Sequence, residues 1–128
     1  MRFKEFYVCD SNNESNCVIR SFCNVYNEEY ENVYKELCEI AKELNCESFN
    51  EVDVFETYMK RRDTISLDYG NDLKVKDLKL DKGKYLVFCW DKESFYHMVS
   101  IIDNVLYDRK DDSLDLYVIK IYKEKYHK

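Results

Sequence analysis

Proline is absent from this 128-residue chain, and glycine occurs only twice. The chain therefore has few of the residues that break helices or adopt left-handed backbone without strain. We expect its turns to be made by Asn, Asp and Ser, which tolerate that conformation. Extensive disorder is excluded, because 45% of the residues are hydrophobic and 16% are aromatic. A chain of this length and composition predicts a single domain spanning residues 1–128.

A long apolar run and a signal peptide are also missing. The longest uninterrupted apolar stretch, Tyr85 to Trp90, is too short to cross a membrane. The N-terminus carries Arg2, Lys4 and Glu5, so it lacks the apolar segment of a secretory signal. We therefore expect a cytoplasmic protein with no membrane association. In such a protein the six cysteines are expected to be free thiols, most of them in the core.

Positive charge is not in excess. Lys and Arg total 20 against 26 Asp and Glu, which leaves a net charge of -6. This acidic balance disfavours nucleic-acid binding, which requires a basic surface. There is no Cys-x-x-Cys pair and no histidine near a second ligand. We therefore expect no metal and no cofactor.

Apolar periodicity divides the chain into helices followed by strands. Helical spacing predicts helices that start at Cys17, after Asn27 and after Asn50, with Ser15 or Asn16, Asn27 and Asn50 as N-caps. Extended patterns predict strands at residues 3–8, 65–67, 85–90, 96–102, 105–108 and 116–122. This order predicts an α+β fold in which N-terminal helices pack on a C-terminal antiparallel sheet.

Cys17 is the cysteine best placed for chemistry. It follows the polar segment from Asp10 to Asn16 and is expected in the first turn of a helix. The helix dipole and the unpaired amides there stabilise a thiolate, which is the nucleophilic form of cysteine. Burial of a small apolar side chain at a helix start is an equally good interpretation of the position alone.

His97 and Asp108 are predicted to lie together on a hairpin. Asp103 and Asn104 suit a two-residue turn, and the resulting register pairs Val99 with Asp108. Because side chains alternate along a strand, Asp108 then shares a face with His97. A carboxylate beside an imidazole holds that base in one tautomer. An ion pair without catalytic function is the alternative, and the second histidine, His127, is close to the C-terminus.

Several segments of the chain carry short motifs. Asn16-Cys17-Val18-Ile19-Arg20-Ser21 resembles the Asn/Asp-Cys-Val-x-Arg-Ala motif of small bacterial and phage papain-like proteins related to the C39-like peptidases, and Tyr30 to Val33 is similar to their Tyr-x-x-Val helix. Gly83-Lys-Tyr-Leu-Val resembles their Gly-x-Tyr-Ile-Val strand. The segment from Tyr96 to Asp108 resembles their His-to-Asp hairpin, with Asn104 in place of the usual Gly.

This resemblance implies a papain-like cysteine protease, a hydrolase with Cys17 as nucleophile, His97 as general base and Asp108 as orienting residue. The backbone amide of Cys17 would supply one oxyanion donor. Papain-like enzymes usually take the second donor from a Gln, and this chain contains no Gln. Asn12 and Asn13 are the candidates to replace it.

Two functions remain open from the sequence. The first is a peptidase or amide hydrolase that acts on peptides or proteins through an acyl-enzyme intermediate. The second is an inactive papain-like protein that binds a protein partner, such as a phage inhibitor of a host defence complex. Twelve tyrosines would suit such a contact surface. The sequence predicts no oligomeric state.

Overall fold

The computed structural model describes residues 1–8, 16–67 and 72–125. Within these ranges the chain forms three helices and six strands. In chain order they are β1 (Arg2–Glu5), α1 (Cys17–Tyr26), α2 (Tyr30–Glu43), α3 (Val52–Lys60), β2 (Thr64–Leu67), β3 (Lys84–Trp90), β4 (Tyr96–Ile102), β5 (Val105–Asp108) and β6 (Tyr117–Glu124). Short 3-10 turns at Val75–Asp77 and Asp111–Asp115 precede β3 and β6. The predicted α+β class is confirmed.

The helices form where apolar residues recur at helical spacing. In α2 the buried side chains are Val33, Leu37, Ile40 and Ala41, which lie on one stripe of the helix. The same pattern buries Val54, Phe55, Tyr58 and Met59 of α3. All three predicted helices are present.

The predicted N-caps were wrong for the second and third helices. Asn27 is the C-cap of α1, with φ of 55° and its amide bonded to the Cys23 carbonyl. Asn tolerates this left-handed conformation, so it ends one helix and leaves Glu29 to precede the next. Glu51 rather than Asn50 precedes α3. Ser15, the other candidate cap for α1, lies outside the described residues.

The six strands form one mixed sheet in the order β1-β5-β4-β3-β6-β2. Four of its neighbouring pairs are antiparallel, but β1 runs parallel to β5, with Phe3 opposite Leu106. The predicted purely antiparallel sheet therefore needs correction. β1 joins a strand that follows it by about a hundred residues, a pairing that depends on Phe3 packing against the core rather than on local sequence.

The sheet separates two hydrophobic clusters. On one face, Leu86, Met98 and Tyr122 pack with the buried residues of the three helices. On the other face, strand residues such as Val87, Val99 and Ile101 are covered by Val75, Leu78 and Leu80. Alternation along the strands assigns each residue to one face, as the sequence pattern predicts.

No helix in the described part of the chain combines the length and the apolar character needed to span a bilayer. The five described cysteines, Cys17, Cys23, Cys38, Cys46 and Cys89, are all free thiols, as predicted. The expectation that most cysteines lie in the core was wrong, since only Cys23 and Cys89 of these five are buried. Cys9 lies outside the described residues.

Candidate active site

Two hydrogen bonds fix α1 along β4, and they place the start of the helix at the start of the strand. The Ser21 hydroxyl donates to the Met98 carbonyl at 3.1 Å. One turn further on, the side-chain amide of Asn24 donates to Ser100 Oγ at 2.9 Å. Since the helix and the strand advance together, Cys17 at the first position of α1 lies beside the beginning of β4.

The hairpin between β4 and β5 has the predicted turn. Asp103 and Asn104 both adopt left-handed backbone, with φ of 50° and 66°, which suits the twist of a two-residue turn. The three strand pairs nearest the turn have the predicted register. His97 Nε2 lies 2.7 Å from Asp108 Oδ2, so the predicted contact between these two side chains is present.

Asp108 is a buried carboxylate with three hydrogen-bond donors. Besides His97, it accepts from Arg20 Nη2 at 3.0 Å and from the Arg109 amide at 2.7 Å, both on Oδ1. Burial raises the pKa of Asp108, but these donors and the positive charges of His97 and Arg20 outweigh it and keep the pKa below the ordinary value. Asp108 is therefore ionised at neutral pH and oriented from both sides.

Arg20 is the site residue that sequence analysis did not single out. Its side chain is 5% exposed, as is that of Asp108, so the two form a buried ion pair across 88 residues of chain. The sequence feature that could have identified Arg20 is its position three residues after Cys17, on the apolar side of a helix. Residues three apart lie on one helical face, and a charge on the buried face requires a partner.

The thiol of Cys17 and the imidazole of His97 are hydrogen-bonded, and each shifts the pKa of the other. Burial raises the pKa of Cys17, but His97, the Met98 amide and the Arg20 charge lower it below that of an ordinary cysteine. Burial lowers the pKa of His97, whereas Asp108 and Cys17 raise it to about 9. These opposite shifts favour a thiolate–imidazolium pair at neutral pH.

The ring nitrogens of His97 have separate partners. Nε2 contacts Asp108, and each ring nitrogen offers one in-plane hydrogen bond. This leaves Nδ1 for the thiol of Cys17. The ring is also stacked on Phe95, with centroids 5.5 Å apart. His97 is therefore held by a carboxylate and an aromatic ring in the orientation that a general base needs.

The other described cysteines lack this environment. Cys89 is fully buried and donates to the His97 carbonyl at 3.5 Å. Burial and the nearby Cys17 and Asp108 raise the pKa of Cys89 well above the ordinary value, which keeps it a neutral thiol. Burial and the charges of Glu51 and Asp53 raise the pKa of Cys46. Among these thiols, Cys17 is the nucleophile candidate.

Of the predicted oxyanion donors, Cys17 lies in the described part of the chain. The Cys17 amide is the first of α1, where amides have no partner within the helix. Asn12 and Asn13 lie outside the described residues. Asn16, immediately before the helix, makes no side-chain capping bond, and its Oδ1 accepts from the Tyr30 hydroxyl at 3.0 Å instead.

Two cavities meet at His97. A groove of about 650 Å³ lies on the thiol side, and a smaller cavity of about 210 Å³ lies on the carboxylate side, lined by Arg20, Asp108 and Arg109 among others. The thiol is thus open to a space large enough for peptide side chains. Within the described ranges, no group of three His, Cys, Asp or Glu side chains is arranged to hold a metal ion.

No family model, curated protein sequence or solved structure matches this chain. The chemical interpretation therefore depends on the geometry around Cys17, His97 and Asp108.

Proposed function

We propose that this protein is a thiol-dependent peptidase or amide hydrolase. The observation that carries the proposal is the continuous contact from the Cys17 thiol through the His97 ring to the buried Asp108 carboxylate, 2.7 Å from that ring. A nucleophile, a base and a group that orients the base are the components of covalent amide hydrolysis.

We also propose that the fold is papain-like. Its support is the position of the three residues. The nucleophile begins a helix near the N-terminus, and the base and carboxylate come from an antiparallel hairpin that packs against that helix. In this arrangement the helix dipole stabilises the thiolate, while the sheet provides a rigid support for the imidazole.

The acylation step begins with attack of the Cys17 thiolate on the carbonyl carbon of the scissile amide. A carbon–sulfur bond forms, and the carbonyl π electrons move to oxygen, where the Cys17 amide and a donor such as Asn12 or Asn13 would stabilise the charge. When the intermediate collapses, the carbon–nitrogen bond breaks. The His97 imidazolium gives its proton to the departing amine, leaving a thioester on Cys17.

Deacylation uses the same groups in reverse. Neutral His97 takes a proton from water as the water oxygen attacks the thioester carbon. The carbon–sulfur bond then breaks, the carboxylic acid leaves, and the thiolate–imidazolium pair is restored. The net reaction consumes one amide and one water and yields one acid and one amine, with no metal or redox cofactor involved.

The substrates under this proposal are peptides or proteins in a reducing compartment. Five free described thiols suit such a compartment, and we place the activity in the cytoplasm as part of the proposal. The groove beside Cys17 has a volume of about 650 Å³, which is large enough for side chains of a peptide.

Peptide cleavage tests the proposal. A proteome-derived peptide mixture is incubated with the protein, and new termini are identified by mass spectrometry. We expect cleavage that disappears in Cys17→Ala and persists in Cys46→Ala, which removes a partly exposed thiol outside the triad. Cleavage that survives Cys17→Ala, or no cleavage by any variant, would contradict the enzyme assignment.

A non-catalytic binding protein is the second candidate. The observation that favours it is the exposure of Phe95 and Tyr96, 43% and 53%, directly before His97, because exposed aromatic residues are enriched at interfaces. Cys17→Ala separates the candidates in a cell-based or partner assay. An enzyme loses its effect with this substitution, whereas a stoichiometric binder retains it.

A further inference from the structure

The groove beside the thiol has a continuous apolar surface. It lies between the start of α3 and the strands β3 and β4. Its apolar lining consists of Val18, Val52, Phe55, Phe88, Tyr96 and Met98. Phe55 and Met98 are each 1% exposed and form the floor, whereas Val52 of α3 and Tyr96 of β4 are 42% and 53% exposed and form two walls. An apolar side chain that enters the groove is therefore contacted on several sides.

The Tyr96 wall is held in place by neighbouring rings. Tyr96 stacks on Phe88 with centroids 5.8 Å apart and on Trp90 at 5.3 Å, with interplanar angles of 18° and 21°. A stacked ring loses little freedom when a ligand packs against it. The wall is thus preorganised for contact with a bulky apolar group.

The wall formed by Val52 carries negative charge. Glu51 and Asp53 flank Val52, and both line the groove and are exposed. Glu51 Oε2 accepts from the Ser48 amide at 2.9 Å, which holds its carboxylate at the start of α3. Lys and Arg are absent from the described residues that line the groove. The wall therefore favours a cationic group near the apolar floor.

We propose that the groove selects peptides in which a bulky apolar residue is adjacent to a basic residue. The apolar side chain packs on Phe55 and Met98 between the two walls, and the Lys or Arg neighbour lies over Glu51 and Asp53. This specificity rests on the proposed peptidase function, since the same groove opens onto Cys17 and His97.

The test measures binding to Cys17→Ala, which binds peptide without turnover. Four fluorescent octapeptides differ only in two central residues, Leu-Arg, Leu-Glu, Ser-Arg and Ser-Glu, and fluorescence anisotropy gives each Kd. We expect Leu-Arg to bind most tightly. Its advantage over Leu-Glu should be roughly three- to tenfold at low salt and should shrink at about 0.5 M salt, where surface charges are screened.

Two double variants in the same background locate the charge effect. Glu51→Gln with Asp53→Asn should make Leu-Arg and Leu-Glu bind equally, because Gln retains an acceptor for Ser48 while the charges are lost. Asp77→Asn with Asp81→Asn removes the same charge from the segment that covers the opposite sheet face. This control should preserve the preference.

Equal binding of the four peptides, absence of measurable binding, or the same result for both double variants would overturn the proposed specificity. The peptidase assignment is tested separately by incubating wild-type protein with Leu-Arg peptide. A peptide that binds with the expected preference but stays intact refutes catalysis and leaves the groove specificity standing.

Discussion

The reactivity of Cys17 as a function of pH is the most direct consequence of the site geometry. An isolated thiol with a pKa of about 8.5 is roughly 3% ionised at pH 7. The lowered pKa of Cys17 increases this fraction by up to about 30-fold. Because a thiolate of lower pKa is a weaker nucleophile, the expected gain in alkylation rate is about 2- to 4-fold.

His97→Ala should remove most of this gain. It deletes the hydrogen bond and the positive charge that lower the pKa of Cys17, whereas the burial that raises it remains. We therefore expect alkylation of Cys17 at pH 7 to slow by about 2-fold or more. The midpoint of its pH profile should also shift upward to that of an ordinary thiol or beyond.

Iodoacetamide labelling from pH 4 to about 10, with mass-spectrometric assignment of each cysteine, measures both quantities. Cys46 is the internal reference, because it is half-buried and its pKa is raised. Phe95→Ala is the control matched to His97→Ala, because it removes the ring stacked on His97 but keeps the imidazole that lowers the pKa of Cys17. A Cys17 midpoint at or above that of Cys46, or one unchanged by His97→Ala, would refute the thiolate–imidazolium pair.

Three further outcomes follow from the buried and bridged charges. Asp108→Asn should reduce the free energy of unfolding by about 3–5 kcal/mol, because it leaves Arg20 buried without its partner. In urea unfolding, the double variant Arg20→Met with Asp108→Asn should lose less stability than the sum of the losses of the two single variants. Strictly additive losses would contradict the pairing. Peptide cleavage should show a bell-shaped pH profile, rising as Cys17 ionises and falling as His97 loses its proton near pH 9; a falling limb near 6.5, the ordinary value for histidine, would be inconsistent with the raised pKa of His97. Glu36→Gln should reduce the free energy of unfolding by about 0.5–1.5 kcal/mol at pH 7, since Glu36 accepts two bonds from Arg62 at 2.7 and 2.9 Å. These bonds lower the folded-state pKa of Glu36, so its stabilising contribution is present above the unfolded pKa and is lost as pH falls through the folded value. A cost of Glu36→Gln that stays constant down to pH 2 would contradict this account.

The elements that sequence analysis predicted best are those with local causes. β4 and β5 end where predicted, because alternating apolar residues surround an Asp-Asn turn whose backbone preference sets the register. That register places His97 and Asp108 together. The helices were recognised for the same reason, since helical spacing is a property of a single segment.

Helix boundaries were predicted less well because several residue types compete for the same role. Asn27 suits both an N-cap and a left-handed C-cap, and in the structure it is the left-handed C-cap of α1. Asn16 has the chemistry of an N-cap, yet its side chain binds the Tyr30 hydroxyl. Sequence alone does not rank these options, because their energies differ by less than a tertiary contact contributes.

The sequence by itself determined the α+β class, the candidate residues and the contact between His97 and Asp108, because each follows from periodicity or from a turn of two residues. The tertiary structure decided that α1 lies along β4 with Cys17 beside His97, and that Arg20 pairs with Asp108. It also decided that β1 joins β5 in parallel. These contacts join residues about 80 to 100 positions apart, and their free energy comes from burying side chains of separate segments against one another, which no local pattern encodes.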